Sequence, residues 1–271
     1  MLIREIRGCS TKIAHQIVYQ IMKKMFLSLT FVVGFVALSV AQDLHFGIQA
    51  SPSWSWMGTD NTKVTGGGSA LGLKLGLVVE NRISESASIS TGIGFHFNTG
   101  GSLRFGLPGQ LWKNSWDNFD TKPKVSDTFG IDTKLKYSLT MVEIPVGLKL
   151  RTPEQGNHLR YYAEPMLALG FKSGAKGAIS EAGTIVAQEK INIGPDVNSV
   201  MLSWGFGIGA EHIIQNNTAI VFGVYYQNGF TDMTGDSGST LFDKSSGTVV
   251  AKAEKSKATI RSLTFRLGVM F

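Results

Sequence analysis

The run Leu263-Thr264-Phe265-Arg266-Leu267-Gly268-Val269-Met270-Phe271 sets bulky apolar side chains at every odd position and small, polar or flexible ones at nearly every even position. Successive side chains of a strand leave on opposite faces. A period of two therefore predicts a strand with one greasy face and one mixed face. Whether the greasy face meets a protein core or lipid decides the fold.

Seven further runs share the pattern. Leu44 to Ser51 places Leu44, Phe46, Ile48 and Ala50 on one face. Leu71, Leu73, Leu75, Leu77 and Val79 alternate with Gly72, Lys74, Gly76, Val78 and Glu80. Ile89, Ile93, Phe95 and Phe97 oppose Ser88, Ser90, Gly94 and His96, and Val142 to Leu150 alternates with Glu143, Pro145, Gly147 and Lys149. Leu159 to Phe171, Val200 to Ala210 and Ile220 to Tyr226 complete the set. In one segment the phase changes: Leu135, Tyr137, Leu139 and Met141 are apolar at odd positions, whereas from Val142 the apolar positions are even. A one-residue slip flips every side chain, so a bulge or a turn out of the sheet is predicted near Met141-Val142.

The connections alternate in length. Short ones are expected at 81–86, 151–158 and 212–217, and long ones near 52–68, 99–134, 172–198 and 231–257. Short turns at one end and long loops at the other are the layout of outer-membrane barrels. The predicted fold is all-β, an eight-stranded antiparallel up-and-down transmembrane β-barrel spanning 42–271. The charged residues fall on the mixed faces. An ionised group facing hydrocarbon costs about 2–4 kcal/mol at mid-membrane, so the lumen is the cheaper home. Lys74, Glu143, Lys149, Arg160, Glu164, Glu211 and Arg266 are the predicted lumen network, with Glu80 on the same face.

Composition agrees with this solvent. Charged residues are 17% of the chain, below the roughly 25% of soluble domains. Residues 22–41 read as a signal peptide: Lys23 and Lys24, an apolar core from Phe26 to Leu38, and a small-residue exit at Ser39-Val40-Ala41. Residues 1–21 read as an extension from an upstream start. Cys9 lies there beside Arg7, without the apolar run that lipidation needs, so the part after residue 41 has no thiol chemistry. The first 41 residues hold five Lys or Arg against Glu5, leaving about +2 of the formal +6 for the rest. That balance is no nucleic-acid footprint.

Val142-Glu143-Ile144-Pro145-Val146-Gly147-Leu148-Lys149-Leu150 resembles the Leu-Glu-Ile-Pro-Leu-x-Leu-Lys strand of the PorT-like outer-membrane barrels of Bacteroidota-type bacteria. Tyr161-Tyr162-Ala163-Glu164-Pro165, Gly205-Phe206-Gly207-Ile208-Gly209-Ala210-Glu211 and Leu267-Gly268-Val269-Met270-Phe271 are similar to further strands of that family, with Glu164 where Gly is usual. The resemblance covers about 42–271. It implies an outer-membrane address, contact with lipid and lipopolysaccharide, and a role beside secretion or other envelope proteins. The competing expectation is a narrow channel or transporter for small solutes.

No enzymatic constellation stands out, and no cofactor or metal is expected. The five His residues lack metal-ligand spacing. His96 with Ser88 or Ser90 is the nearest approach to a hydrolase pair, but it should face the lumen. Gly205-x-Gly207-x-Gly209 lies within a strand, where a phosphate loop does not belong. Asp232, Asp236 and Asp243 do not match a calcium loop. Trp54 and Trp56, just past the first run, suit the interfacial aromatic belt. Trp112, Trp116 and Phe119 lie deep in the second long loop and are the candidates for exposed contact with a partner, a glycan or lipopolysaccharide.

Overall fold

The computed structural model describes residues 44–180, 185, 187–215, 218–243 and 249–271. The predicted leader lies outside these residues. Strands β1 (Leu44–Thr59), β2 (Val64–Ser84) and β3 (Ala87–Phe105) are followed by the two-residue β4 (Gly109–Gln110), then β5 (Thr133–Arg151), β6 (Leu159–Ser180) and the short β7 (Gln188–Asn192). The remainder are β8 (Val200–Gln215), β9 (Thr218–Gly229), β10 (Ser239–Asp243), β11 (Val249–Ala253) and β12 (Ala258–Met270). Among the described residues no helix is long and apolar enough to cross a membrane.

Eight strands close into a ring in the order β1-β2-β3-β5-β6-β8-β9-β12, with β1 pairing β12 and β5 pairing β6. The closing pair runs antiparallel from Gly47 opposite Met270 to Thr59 opposite Ala258. Closure leaves no sheet edge, which hydrocarbon would not tolerate. The large apolar side chains point outward: Leu73 (41%), Ile93 (45%), Leu148 (41%) and Phe206 (46%) are all exposed. Lys74, Glu143, Lys149, Glu164 and Glu211, on the opposite faces of their strands, are buried inside the ring. A soluble barrel would show the reverse.

Turns at 85–86 and 152–158, with the start of β1 and the end of β12, mark one end of the barrel. The longer segments at 106–132 and 230–257 mark the other, the outer end. There the strands run beyond the lipid-facing band and carry a second, three-stranded sheet ordered β11-β10-β4. The expected long connection at 52–68 does not exist. β1 and β2 continue through it and meet at a turn where Val64 N–H donates to the Asn61 carbonyl. Trp54 therefore sits on β1 and faces outward, and Trp56 and Trp204 flank Tyr226 at ring separations of 6.4 and 5.9 Å. These aromatics form part of an interfacial belt.

The predicted slip in β5 is also corrected. Leu135, Leu139, Met141, Glu143, Lys149 and Arg151 all face inward, so β5 keeps one phase throughout. The irregularities lie on its two neighbours. β3 carries one extra residue between His96 and Thr99, with Asn98 at φ 58°, and β6 carries one extra, Ser173, between the partners of Met141 and Thr140. The apolar phase of β5 changes because its surroundings change: below Met141 lipid lies outside, and above it a protein core lies inside.

Candidate functional site

The lumen is packed in tiers. Nearest the short-turn end, Lys149 of β5 sits between two carboxylates, its Nζ 2.5 Å from Glu80 Oε1 and 2.6 Å from Glu211 Oε1. Arg151 clasps the same pair: its Nε donates to Glu211 Oε2 at 2.7 Å, and its guanidinium also reaches Glu80 and Ser88. The Lys149 ammonium lies 4.4 Å from the centre of the Tyr162 ring. Two cations thus meet two anions. Charges removed from water are tolerated only when paired and hydrogen-bonded in this way.

The next tier is Glu164 with Arg266. Arg266 Nη1 donates to Glu164 Oε2 at 2.9 Å and to the Tyr225 hydroxyl at 2.6 Å, and its guanidinium stacks 3.8 Å from the Tyr225 ring centre. Tyr225 donates to Glu164, and Ser90 Oγ donates to Glu164 Oε1 at 2.5 Å. Glycine makes this tier possible. A Cβ at Gly207 would overlap the Tyr225 ring, and one at Gly223 would strike the Tyr162 hydroxyl. The alternating glycines of β8 and β9 are the room that two tyrosines occupy.

The third tier is Glu143, paired with Lys74 of β2, with Gln227 Nε2 donating to Glu143 Oε2 at 2.7 Å and to Ser203 Oγ at 2.7 Å. His96 Nε2 lies 3.8 Å from Glu143 Oε1. The Ser88 and Ser90 hydroxyls are held by Arg151 and Glu164, so neither is paired with His96 as a nucleophile would be.

Above the third tier the lumen becomes apolar. Leu135, Tyr137, Leu139 and Met141 of β5 pack with Leu103, Phe105, Ile179, Met201 and Ile260 from other strands. The 106–132 segment folds in with them, contributing Leu111, Trp112, Phe119 and Phe129. Trp112 Nε1 donates to the Tyr137 hydroxyl at 2.9 Å, and the rings meet edge-on at 5.2 Å. Gly177 leaves the space the Trp112 ring fills.

Six of the seven expected lumen residues are thereby brought together in the tiers: Lys74, Glu143, Lys149, Glu164, Glu211 and Arg266. Arg160 is not among them. It stands at the inner mouth, half-exposed, with its Nη2 3.6 Å from Glu154. The mouth holds a cavity of about 410 Å³ that reaches Glu80, Arg151 and Glu211. The expectation of exposed loop aromatics is corrected. Trp112 (4% exposed) and Phe119 (3%) are core residues, and Trp116 is half-buried with its Nε1 donating to the Leu111 carbonyl at 2.9 Å. Their apolar area, large for a loop, is used inward.

Sequence reasoning missed Arg151, assigned to a turn, and the partners Tyr162, Tyr225 and Gln227. For Arg151, Tyr225 and Gln227 the signal was present in the odd-numbered parity of β5 and β9. Among the described residues no group of three or more His, Cys, Asp or Glu is placed to hold a metal. Asp232 Oδ1 is occupied by Thr234 and by the Ala258 N–H, as a loop-forming side chain.

A closed ring, an outward apolar band and a paired ionic lumen have a counterpart among known families. The model for the outer membrane protein beta-barrel domain matches residues 20–235. The chain belongs to that family. It is an outer-membrane β-barrel protein. Among solved structures it is similar to Neisserial surface protein A at 12% identity and a TM-score of 0.41, covering 83% of this chain and 95% of that one. A major outer membrane protein from Thermus thermophilus is similar at 13% identity and a TM-score of 0.41, covering 85% and 99%. The outer membrane protease OmpT from Escherichia coli is similar at 9% identity and a TM-score of 0.37, covering 85% and 96%. Scores this low transfer no activity, ligand or partner. No curated protein matches.

Proposed function

We propose that this barrel is a closed structural or interaction protein of the outer membrane, accessory to secretion or surface assembly, and not a conduit. The observation that supports the reading is the filling of the lumen. Three ionic tiers block the inner half, and the Trp112–Phe129 segment packs with strand residues in the outer half. A steady solute path would have to break salt bridges in each tier and also displace an apolar plug. The similarity of the Val142–Leu150 strand to PorT-like barrels supports the accessory role. The engagement of Ser88 and Ser90 by Arg151 and Glu164, away from His96, fits a non-enzymatic reading.

The test is conductance. The purified protein in planar bilayers is expected to give no steady open level, and liposomes containing it should not swell in small sugars. A stable pore passing small solutes would establish the competing reading, a narrow channel or transporter.

A further inference from the structure

Above the lipid-facing band, the outer wall of β3, β5 and β6 carries Arg104, Lys134, Lys136 and Lys176, with Arg104, Lys136 and Lys176 exposed and Lys134 half-buried. We infer that these four cations form a binding site for the anionic, glycan-built head of lipopolysaccharide in the outer leaflet. The register places them together. Arg104 stands directly opposite Lys134, Ser102 opposite Lys136, and Ser138 opposite Lys176. Lys134 and Lys136 are next but one on the same face of β5, and Lys176 is diagonal to Lys136. Such neighbours are about 5–8 Å apart. Like charges set opposite one another destabilise a sheet unless something neutralises them.

Among the described residues none of the four makes an ion pair, although Asp132 and Glu189 lie on flanking positions. β2 and β3 contribute no carboxylate to this wall: β3 has none, and the only one on β2, Glu80, is buried in the lumen. The Lys134 ammonium extends across β3 towards β2, over Gly68, whose Cβ would lie 3.5 Å from it. The cations thus stand on three strands and reach towards a fourth.

Their height selects the ligand. The apolar band ends near Phe97, Val142 and Phe171, and Lys176 lies five residues further along β6. At about 3.3 Å per residue on a strand tilted by 35–45°, and with Ser173 as an extra residue in between, that is roughly 9–13 Å beyond the hydrocarbon. A phospholipid head layer is only about 5–8 Å deep. An anion that meets all four cations must therefore sit on a taller head, and a phosphorylated sugar head in the outer leaflet provides one. The half-buried Thr140, between band and cations, adds a hydroxyl suited to sugar.

The test titrates detergent-purified full-length protein with intact lipopolysaccharide, with enzymatically dephosphorylated lipopolysaccharide and with inorganic phosphate. The variant R104Q/K134Q/K136Q/K176Q is compared with K63Q/K252Q/K255Q, three cations elsewhere on the outer end. Folding is checked by heat-modifiable gel migration. If the fourfold variant fails that check, R104Q/K176Q and K134Q/K136Q are used separately, each expected to weaken binding about threefold. Loss of the four charge-assisted contacts should weaken intact lipopolysaccharide by about tenfold or more, as should dephosphorylation of the lipid, while the control triple stays near wild type. Equal binding by a folded variant, equal loss in the control, or full displacement by millimolar inorganic phosphate would overturn the assignment.

Discussion

The inner and outer halves of this barrel use the same strands by opposite rules. In the inner half β5 points Glu143, Lys149 and Arg151 into the lumen and Ile144, Val146 and Leu148 into lipid. In the outer half the same inward face is Leu135, Tyr137, Leu139 and Met141, and the outward face carries Lys134 and Lys136. The backbone parity does not change between the two. What changes is the solvent on each side of the wall. A binary pattern reports which face is dry, not which face points in.

The comparison breaks first where charge is buried. Lys149 is 1% exposed and lies between Glu80 and Glu211. Lys149→Met keeps the stem but leaves two carboxylates sharing Arg151. Removing one partner of a buried network costs about 3–5 kcal/mol, and a loss of about 4 kcal/mol is expected here. Urea unfolding of the protein in lipid vesicles, followed by tryptophan fluorescence, measures it. Adding Glu211→Gln should recover part of the loss, because the stranded charge goes with it. A Lys149→Met barrel as stable as wild type would mean that the tier is wet and its ion pairs weak.

The outer half should respond to volume instead of charge. Leu139 is fully buried against the plug. Leu139→Ala should cost about 3 kcal/mol through lost burial and the cavity left behind. Leu148→Ala, on the lipid face of the same strand, should cost less because lipid can fill the gap. Equal losses at the two positions would mean that the outer core is no better packed than the membrane.

The ring was legible in the sequence because lipid imposes one uncompromising pattern. Phe46 and Ile48 of β1, Leu73 and Leu75 of β2, and Phe265 and Leu267 of β12 are exposed at the parity their runs predict. Six lumen charges followed from the same parity. The plug was not legible. Trp112 and Phe119 sit in a segment with no strand period, where exposed aromatics and buried ones look alike. Only the apolar odd positions of β5 hinted that a core waited above the membrane, and a register slip explains that pattern equally well. The turn at Asn61 was missed because Gly66, Gly67 and Gly68 read as loop, whereas they line the start of a strand.

The smallest effect separates the outer sheet from the barrel beneath it. Glu254, between β11 and β12, is buried, and its Oε1 accepts the Ser256 N–H. Burial, followed by Asp236 and Asp232, outweighs that bond and raises its pKa above the usual carboxylate range. A raised folded value means that the folded state holds the proton more tightly than the unfolded chain. The resulting stability is complete below the unfolded carboxylate value of about 4.3 and is lost as pH rises through the folded one. Glu254→Gln removes that titration and leaves the barrel tiers untouched. Its unfolding midpoint should therefore fall less than wild type's between the acid and neutral ends of that window. A slope unchanged by the substitution would overturn the assignment of this pH response to Glu254.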